Sequence, residues 1–460
     1  MVEDYYREDL DLDDTLMIQQ FLELCLSCNY EADHKERFTG LLGDVFLRGM
    51  VYFLGISSST ALALGYYMEH SQPGDIKSLK LRPIVHPGDN INPTGPLDKL
   101  YTQYLSGINQ IPASKMQEIG QEFFSRYQGS VDTDIEAFKK EAPAATVTLI
   151  QMWQRCQDLP TPEETNISPV INALPYTQLE AFDISDFKIR DNIDQFVEAC
   201  EKGHMSHLQV LKVSNIGMQD YQTERLAQVT SYMADLEELN ISINAPGRSL
   251  EYLAETLAVV SLNKLNIQSM EAPAEVMDIF TQKLPDFCSQ LIGLYMDVND
   301  MNDNVASNLE SHLPIAKQLR LLSISVWGLS RERHNQLVLT MGRLTRLQQL
   351  YVYESQYPDD LLESVADVMP SLPDLIEVVL GVEITTSPKV SSSSWHHFKS
   401  KLQNVVTLKR LQLSRIALER NDFIELIQLC REQGLTSVRY HINCVPDGVA
   451  VPEGDIFQFM

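Results

Sequence analysis

One apolar pattern recurs ten times, at nearly constant spacing, through the last two-thirds of the chain. It consists of a leucine-like residue, a second at +3 and a third at +5. The copies begin at Leu179, Leu208, Leu236, Leu262, Leu291, Leu319, Leu347, Leu375, Leu408 and Leu435. The intervals are 29, 28, 26, 29, 28, 28, 28, 33 and 27 residues. Alternation at +3 and +5 marks an extended segment with one buried face. A unit of this size cannot enclose a core of its own, so the copies must stack on one another.

A helical pattern follows each extended segment by about ten residues. It carries Leu226, Val229 and Met233 after Leu208; Leu253, Leu257 and Val260 after Leu236; and Leu362, Val365 and Met369 after Leu347. Spacings of three and four put these side chains on one stripe facing the strands. Strands stack at about 4.8 Å and helices at about 8–10 Å, so the array must curve, with the sheet concave and the helices convex. The fold class expected is therefore α/β: a leucine-rich-repeat solenoid, a horseshoe of the ribonuclease-inhibitor kind, preceded by a small all-helical segment. Such repeats often carry Asn at the ninth position, where its amide satisfies buried backbone groups. Only Asn244 and Asn299 fit, against Phe187, Ile216, Trp327 and Ser355, so the array is divergent.

The expected organisation is a helical domain or junction over 1–74, a first strand plus irregular repeats or an insertion over 75–175, about ten repeats over 176–442, and a tail over 443–460. Helices are expected through residues 10–70, with Ser59 capping the third and residues 51–68 buried in the protein rather than spanning a membrane. Ile76, Leu79 and Leu81 give the strand pattern once ahead of the main array. Residues 83–96 read as a loop, 97–108 and 112–127 as helices, and 147–152 as a degenerate strand. The 33-residue interval holds 385–394, which reads as a solvated loop insertion ending in Ser391-Ser392-Ser393-Ser394.

A formal net charge of −27 argues against phosphate backbones and anionic membranes and favours a basic partner. The seven cysteines, Cys25, Cys28, Cys156, Cys200, Cys288, Cys430 and Cys444, are scattered and odd in number, as in a reducing compartment. Cys25 and Cys28 sit within an apolar run and read as buried side chains. The acidic N-terminus lacks the basic and apolar regions of a secretory signal. The localisation expected is cytoplasmic.

No phosphate-binding loop, dinucleotide fingerprint, zinc-protease motif or nucleophile elbow occurs, so neither catalysis nor a cofactor is expected. His204 with His207, and His396 with His397, read as surface histidines and not as metal ligands. The outward strand positions are the candidate ligand-binding residues. Tyr295, Tyr351 and Tyr353 should cluster on the concave sheet, with Asp297 near and Trp327 beside them. Aromatic side chains beside an acid suit a binding hot spot, and they equally suit tyrosines packed against one another.

The segments Phe21-Leu22-Glu23-Leu24-Cys25 and Tyr30-Glu31-Ala32, then the stretch from Ala61 to Ser71 leading into Ile76-Lys77-Ser78-Leu79-Lys80-Leu81, resemble the junction in NOD-like receptors. There a helical domain passes into the repeats through an ALxYVxxHS…LxSLxL stretch. The resemblance covers about residues 15–81 and, more generically, the repeats. It implies the C-terminal part of a cytosolic innate-immune sensor. Its repeats would recognise a protein or microbial ligand and contact the receptor's nucleotide-binding domain within the molecule. The chain departs from that family in having no P-loop and no evident death-fold module, so nucleotide binding does not carry over. The alternative is a leucine-rich-repeat scaffold of another class, such as a ribonuclease-inhibitor-like binder or a ubiquitin-ligase substrate adaptor.

Overall fold

The computed structural model describes Leu26 and residues 50–54, 56–82 and 166–459, apart from short stretches at 188, 190–191, 245–246, 269–271, 298–300, 355–356, 383–387, 441–443 and 447–456. Apart from Leu26, which is helical and buried, the helices expected ahead of residue 38 lie outside the described residues, as do the segments expected between 83 and 152 and Cys25, Cys28, Cys156, Asn299 and Ser355. The chain divides into two compact units, one of Met1–Ser71 and Leu81–Ala173, the other of Gln72–Lys80 and Leu174–Met460.

In the first unit, strand β1 (Met50–Leu54) replaces the helix expected there. Its Met-Val-Tyr-Phe-Leu run is short, aromatic and β-branched, and it buries Val51 and Phe53 two residues apart, as a strand does. The helix α1 (Ser58–His70) follows, capped by Ser57 and not by Ser59: the Ser57 hydroxyl accepts from the Thr60 amide at 3.1 Å. A short helix α2 (Ser168–Ala173) packs on α1. Gly65 makes that contact close, because a Cβ there would lie 2.6 Å from the carbonyl carbon and oxygen of Pro169. The Asn166 amide also donates to the Ser58 hydroxyl at 2.9 Å.

The second unit is a parallel sheet whose strands pair in sequence order. They are β2 (Ser78–Arg82), β3 (Ala181–Asp183), β4 (Val210–Lys212), β5 (Glu238–Asn240), β6 (Lys264–Ile267), β7 (Gly293–Asp297) and β8 (Leu321–Ser325). They continue through β9 (Gln349–Glu354), β10 (Glu377–Val382), β11 (Arg410–Ser414), β12 (Ser437–Tyr440) and β13 (Phe457–Phe459). Strands β3 to β12 each begin two residues after the first leucine of a copy of the pattern. Every residue at the first, +3 and +5 positions of the ten copies is buried, from Leu179, Phe182 and Ile184 to Leu435, Val438 and Tyr440. The solenoid expected from the sequence is thus the fold.

Helices α3 (Ile193–Glu201), α4 (Asp220–Thr230), α5 (Ser249–Leu257), α6 (Ala274–Gln282), α7 (Leu284–Phe287), α8 (Asp303–His312), α9 (Arg331–Met341), α10 (Pro358–Val368), α11 (Ser392–Leu402) and α12 (Arg420–Glu432) connect the strands. The expected stripes are buried, including Leu226, Leu253, Leu257, Leu362, Val365 and Met369.

Two expectations are corrected in this unit. The tail over 443–460 contributes β13, parallel to β12, with Val438 opposite Phe457 and Tyr440 opposite Phe459. An edge strand leaves a row of backbone donors and acceptors open, and a short aromatic segment can close it. The serines are also not a solvated loop. Ser391 caps α11, and Ser392, Ser393 and Ser394 form its first turn. Their hydroxyls meet carboxylates of adjacent repeats: Ser391 with Asp359 at 3.1 Å, Ser392 with Asp422 at 2.6 Å and Ser394 with Glu363 at 2.6 Å.

Asn244 does what the ninth position requires. Its amide nitrogen donates to the carbonyls of Val213 and Ile241, each at 2.8 Å, and its oxygen accepts from the Met218 amide at 3.1 Å. Removing it leaves three backbone groups without that partner. Asn244→Ala is expected to cost about 1–3 kcal/mol, read as a lower urea midpoint. In the first unit, Gly65→Ala forces α1 and α2 apart and is expected to cost about 1–3 kcal/mol by the same measurement.

Candidate functional site

The outward face of the sheet changes character along the array. Over β3 to β6 the outward residues are polar and buried, among them Asp183, Ser185, Ser214, Asn240, Ser242, Asn266 and Gln268. They are joined to one another. Asp183 accepts from the Ser185 hydroxyl at 2.8 Å, Ser185 accepts from the Ser214 amide at 3.3 Å, and the Ser214 and Ser242 hydroxyls lie 2.7 Å apart. Asn240 accepts from the Ser242 hydroxyl at 2.8 Å, and Gln268 donates to the Ser323 hydroxyl at 2.7 Å. Lys212 pairs with Glu238 at 2.9 Å, and Lys264 reaches the same carboxylate at 3.5 Å. Burial works against the charge of Glu238, but the two lysines outweigh it and hold the carboxyl below its usual range. These side chains meet much of one another's hydrogen-bonding need, the condition under which buried polar groups are tolerated.

From β7 onward aromatic side chains enter. The ladder sets Tyr295 opposite Ser323, Ser323 opposite Tyr351, and Tyr351 opposite Val379. Tyr295 and Tyr351 therefore sit two strands apart on one face, with the small Ser323 between them. Tyr353 is two residues beyond Tyr351 on that face, beside Ser325 and Gly381. All three tyrosines are half-buried. Gly381 is the seat for Tyr353: a Cβ there would lie 2.5 Å from Cδ1 of the ring. Burial pushes the Tyr351 hydroxyl well above its ordinary range, helped by the nearby Glu377, Tyr295 and Tyr353 and opposed by Arg410.

The remaining expected residues behave differently. Asp297 occupies the outward row by register, opposite Ser325. Trp327 lies past the end of β8, in the turn, and so off the strand rows that hold the tyrosines. Its carbonyl accepts from the Met301 amide at 3.0 Å, and its indole Nε1 is buried with no hydrogen-bond partner among the described residues. Cys200, Cys288, Cys430 and Cys444 are buried, and burial pushes the Cys288 thiol up to about 11. His207 is exposed and His204 half-buried. His396, by contrast, meets Asp422 and Glu425. The sequence reading missed that grouping because the partners stand about one repeat away along the chain.

Among the described residues, no helix is long and apolar enough to cross a membrane. No family model and no curated protein matches the chain. Solved structures with a similar course include an internalin from Listeria monocytogenes str. 4b F2365, at 14% identity over 68% of this chain and 88% of that one, with a TM-score of 0.31. A yeast Rad7–Elc1 complex matches at 15% identity over 72% of this chain and 98% of that one, with a TM-score of 0.29. A TLR13–ssRNA13 complex matches at 16% identity over 59% of this chain and 33% of that one, with a TM-score of 0.28. The solenoid assignment rests on the strand register and the burial pattern described above.

The raised Tyr351 hydroxyl has a consequence at alkaline pH. Folded and unfolded chains both hold this proton below about pH 10, the ordinary tyrosine value. Above it the unfolded chain releases the proton while the folded chain retains it, so stability falls as pH rises. Tyr351→Phe is expected to shallow that fall, measured as urea midpoints across the alkaline range against the parent chain.

Proposed function

We propose that the repeat array is a non-enzymatic recognition module that binds a protein ligand on the concave sheet around Tyr295, Tyr351 and Tyr353, with Asp297 adding charge. The observation that carries this reading is the contrast along the outward face. Over β3 to β6 the polar side chains are spent on one another, whereas β7 and β9 present partly exposed tyrosine rings beside small residues. Tyrosines supply large contact area at low entropic cost and are enriched in binding hot spots. The net charge of −27 favours a partner surface carrying Arg and Lys, with association that weakens as salt is raised.

The same reading extends to receptor type. We infer a repeat module of the NOD-like-receptor kind, acting in ligand recognition and autoregulation in the cytosol. The order of the elements supports it: the stretch from Ala61 to His70 lies in helix α1, which is capped by Ser71 ahead of β2, the first strand of the repeat pattern. A ribonuclease-inhibitor-like or adaptor scaffold would use the same concave face.

Peptides selected by phage display against the full chain provide the test. Binders that recognise the proposed face are expected to be rich in basic residues and to lose about 30-fold or more in affinity with the Tyr351→Ser/Tyr353→Ser variant, the loss of about 2 kcal/mol typical of a hot spot. Binders that all retain full affinity for that variant overturn the assignment of the face.

A further inference from the structure

A second cluster lies on the helical side of the array, away from the sheet. His396 stands on α11, while Asp422 and Glu425 lie three residues apart, on one face of α12. The His396 Nε2 lies 3.5 Å from Glu425 Oε2 and 3.7 Å from Asp422 Oδ1. All three donor atoms fall within 4.8 Å of one another. These separations exceed a hydrogen bond, which runs at about 2.7–3.2 Å. The two histidine–carboxylate separations come close to those in a metal-centred tetrahedron, where ligand bonds of about 2.0–2.2 Å put neighbouring donors about 3.3–3.6 Å apart.

The surroundings fit the same use. Asp422 is buried, and its second oxygen accepts from the Ser392 hydroxyl at 2.6 Å, which fixes the direction of the first. An outer hydrogen bond of this type orients metal-binding carboxylates. Glu425 accepts from Lys399 at 3.0 Å and from the Trp395 indole at 3.4 Å. The Lys399 ammonium, on a flexible stem, occupies the position beside the Glu425 carboxylate that an ion would take over.

We propose that His396, Asp422 and Glu425 form a divalent transition-metal site of the zinc class, with the ion displacing the Lys399 ammonium. One imidazole nitrogen and two carboxylate oxygens are a donor set that zinc accepts, leaving the fourth position to water. The site is independent of the tyrosine face, so failure of either reading leaves the other intact.

The test is calorimetric titration of the full chain with zinc chloride after chelator treatment and dialysis. One equivalent is expected to bind with a rise in thermal midpoint. His396→Ala and Glu425→Gln each alter an exposed or half-buried side chain, and circular dichroism checks that both variants stay folded. Each is expected to weaken that equivalent about tenfold or more, and Lys399→Ala to strengthen it. Cobalt in place of zinc should give the visible bands of a tetrahedral ion in the parent chain and lose them in His396→Ala. Absence of a saturable equivalent in the parent chain overturns the site. So does an equivalent that folded His396→Ala and Glu425→Gln both bind as tightly as the parent, because the ion is then held elsewhere.

Discussion

The structure depends on one registration: the backbone ladder of each strand must meet its neighbour in step with the leucine positions. In the pairs β3–β4, β4–β5 and β5–β6, Phe182 faces Leu211, Leu211 faces Leu239 and Leu239 faces Leu265. A slip of one residue would turn every such side chain to the opposite face. The cost would recur in each coil, because the first, +3 and +5 residues of all ten copies are buried. Short strands suffice under that constraint. Strands β3, β4 and β5 are three residues long, and β9 and β10 reach six. Each coil needs only enough ladder to fix its phase, and the stack supplies the rest through the contacts between repeats.

The same registration governs the face where binding is proposed. With inward positions committed to leucine-like residues, all variation falls on the residues between them, and these divide into two chemistries. The first half of the array uses Asp, Ser, Asn and Gln, which hydrogen-bond along and across the strands and consume their own polarity. Beyond β6 the rings of Tyr295, Tyr351 and Tyr353 stand over small neighbours, Ser323, Ser325 and Gly381. The glycine is decisive for Tyr353, since a Cβ at 381 would occupy the space of its ring. The sheet thus contains its own seats for these rings, and packing among the tyrosines and availability to a ligand are compatible roles of one patch.

What could be read from the sequence was whatever repeats. The strand phase, the buried helical stripes and the capping amide of Asn244 each follow from a residue type at a fixed offset, and each appears at that offset. Features made once escaped that reading. The strand Met50–Leu54 lies in an apolar run that serves helix and strand equally, and Phe457–Phe459 joins the sheet because β12 leaves an edge to cover. The serines that cap and open α11 look like linker in isolation, yet their carboxylate partners stand on the two adjacent repeats. Side chains that meet by stacking are separated along the chain by about one period. The grouping of His396 with Asp422 and Glu425 therefore becomes visible only when the sequence is wound onto the solenoid.

Divergence from the usual asparagine ladder has the same physical origin. A turn after each strand must satisfy its carbonyls and amides in some way. In the Leu236 coil Asn244 does this with three backbone contacts. In the Leu319 coil the corresponding residue is Trp327, whose carbonyl takes the Met301 amide. That coil also buries His334 on α9, its Nε2 3.4 Å from Glu354 Oε2 at the end of β9. A solenoid tolerates such local solutions because each coil answers chiefly to its two neighbours. The constraint that makes the inner residues uniform is what frees the turns, the outward rows and the helix surfaces to differ from coil to coil. Recognition chemistry can therefore concentrate in a few coils while the core of every coil stays the same.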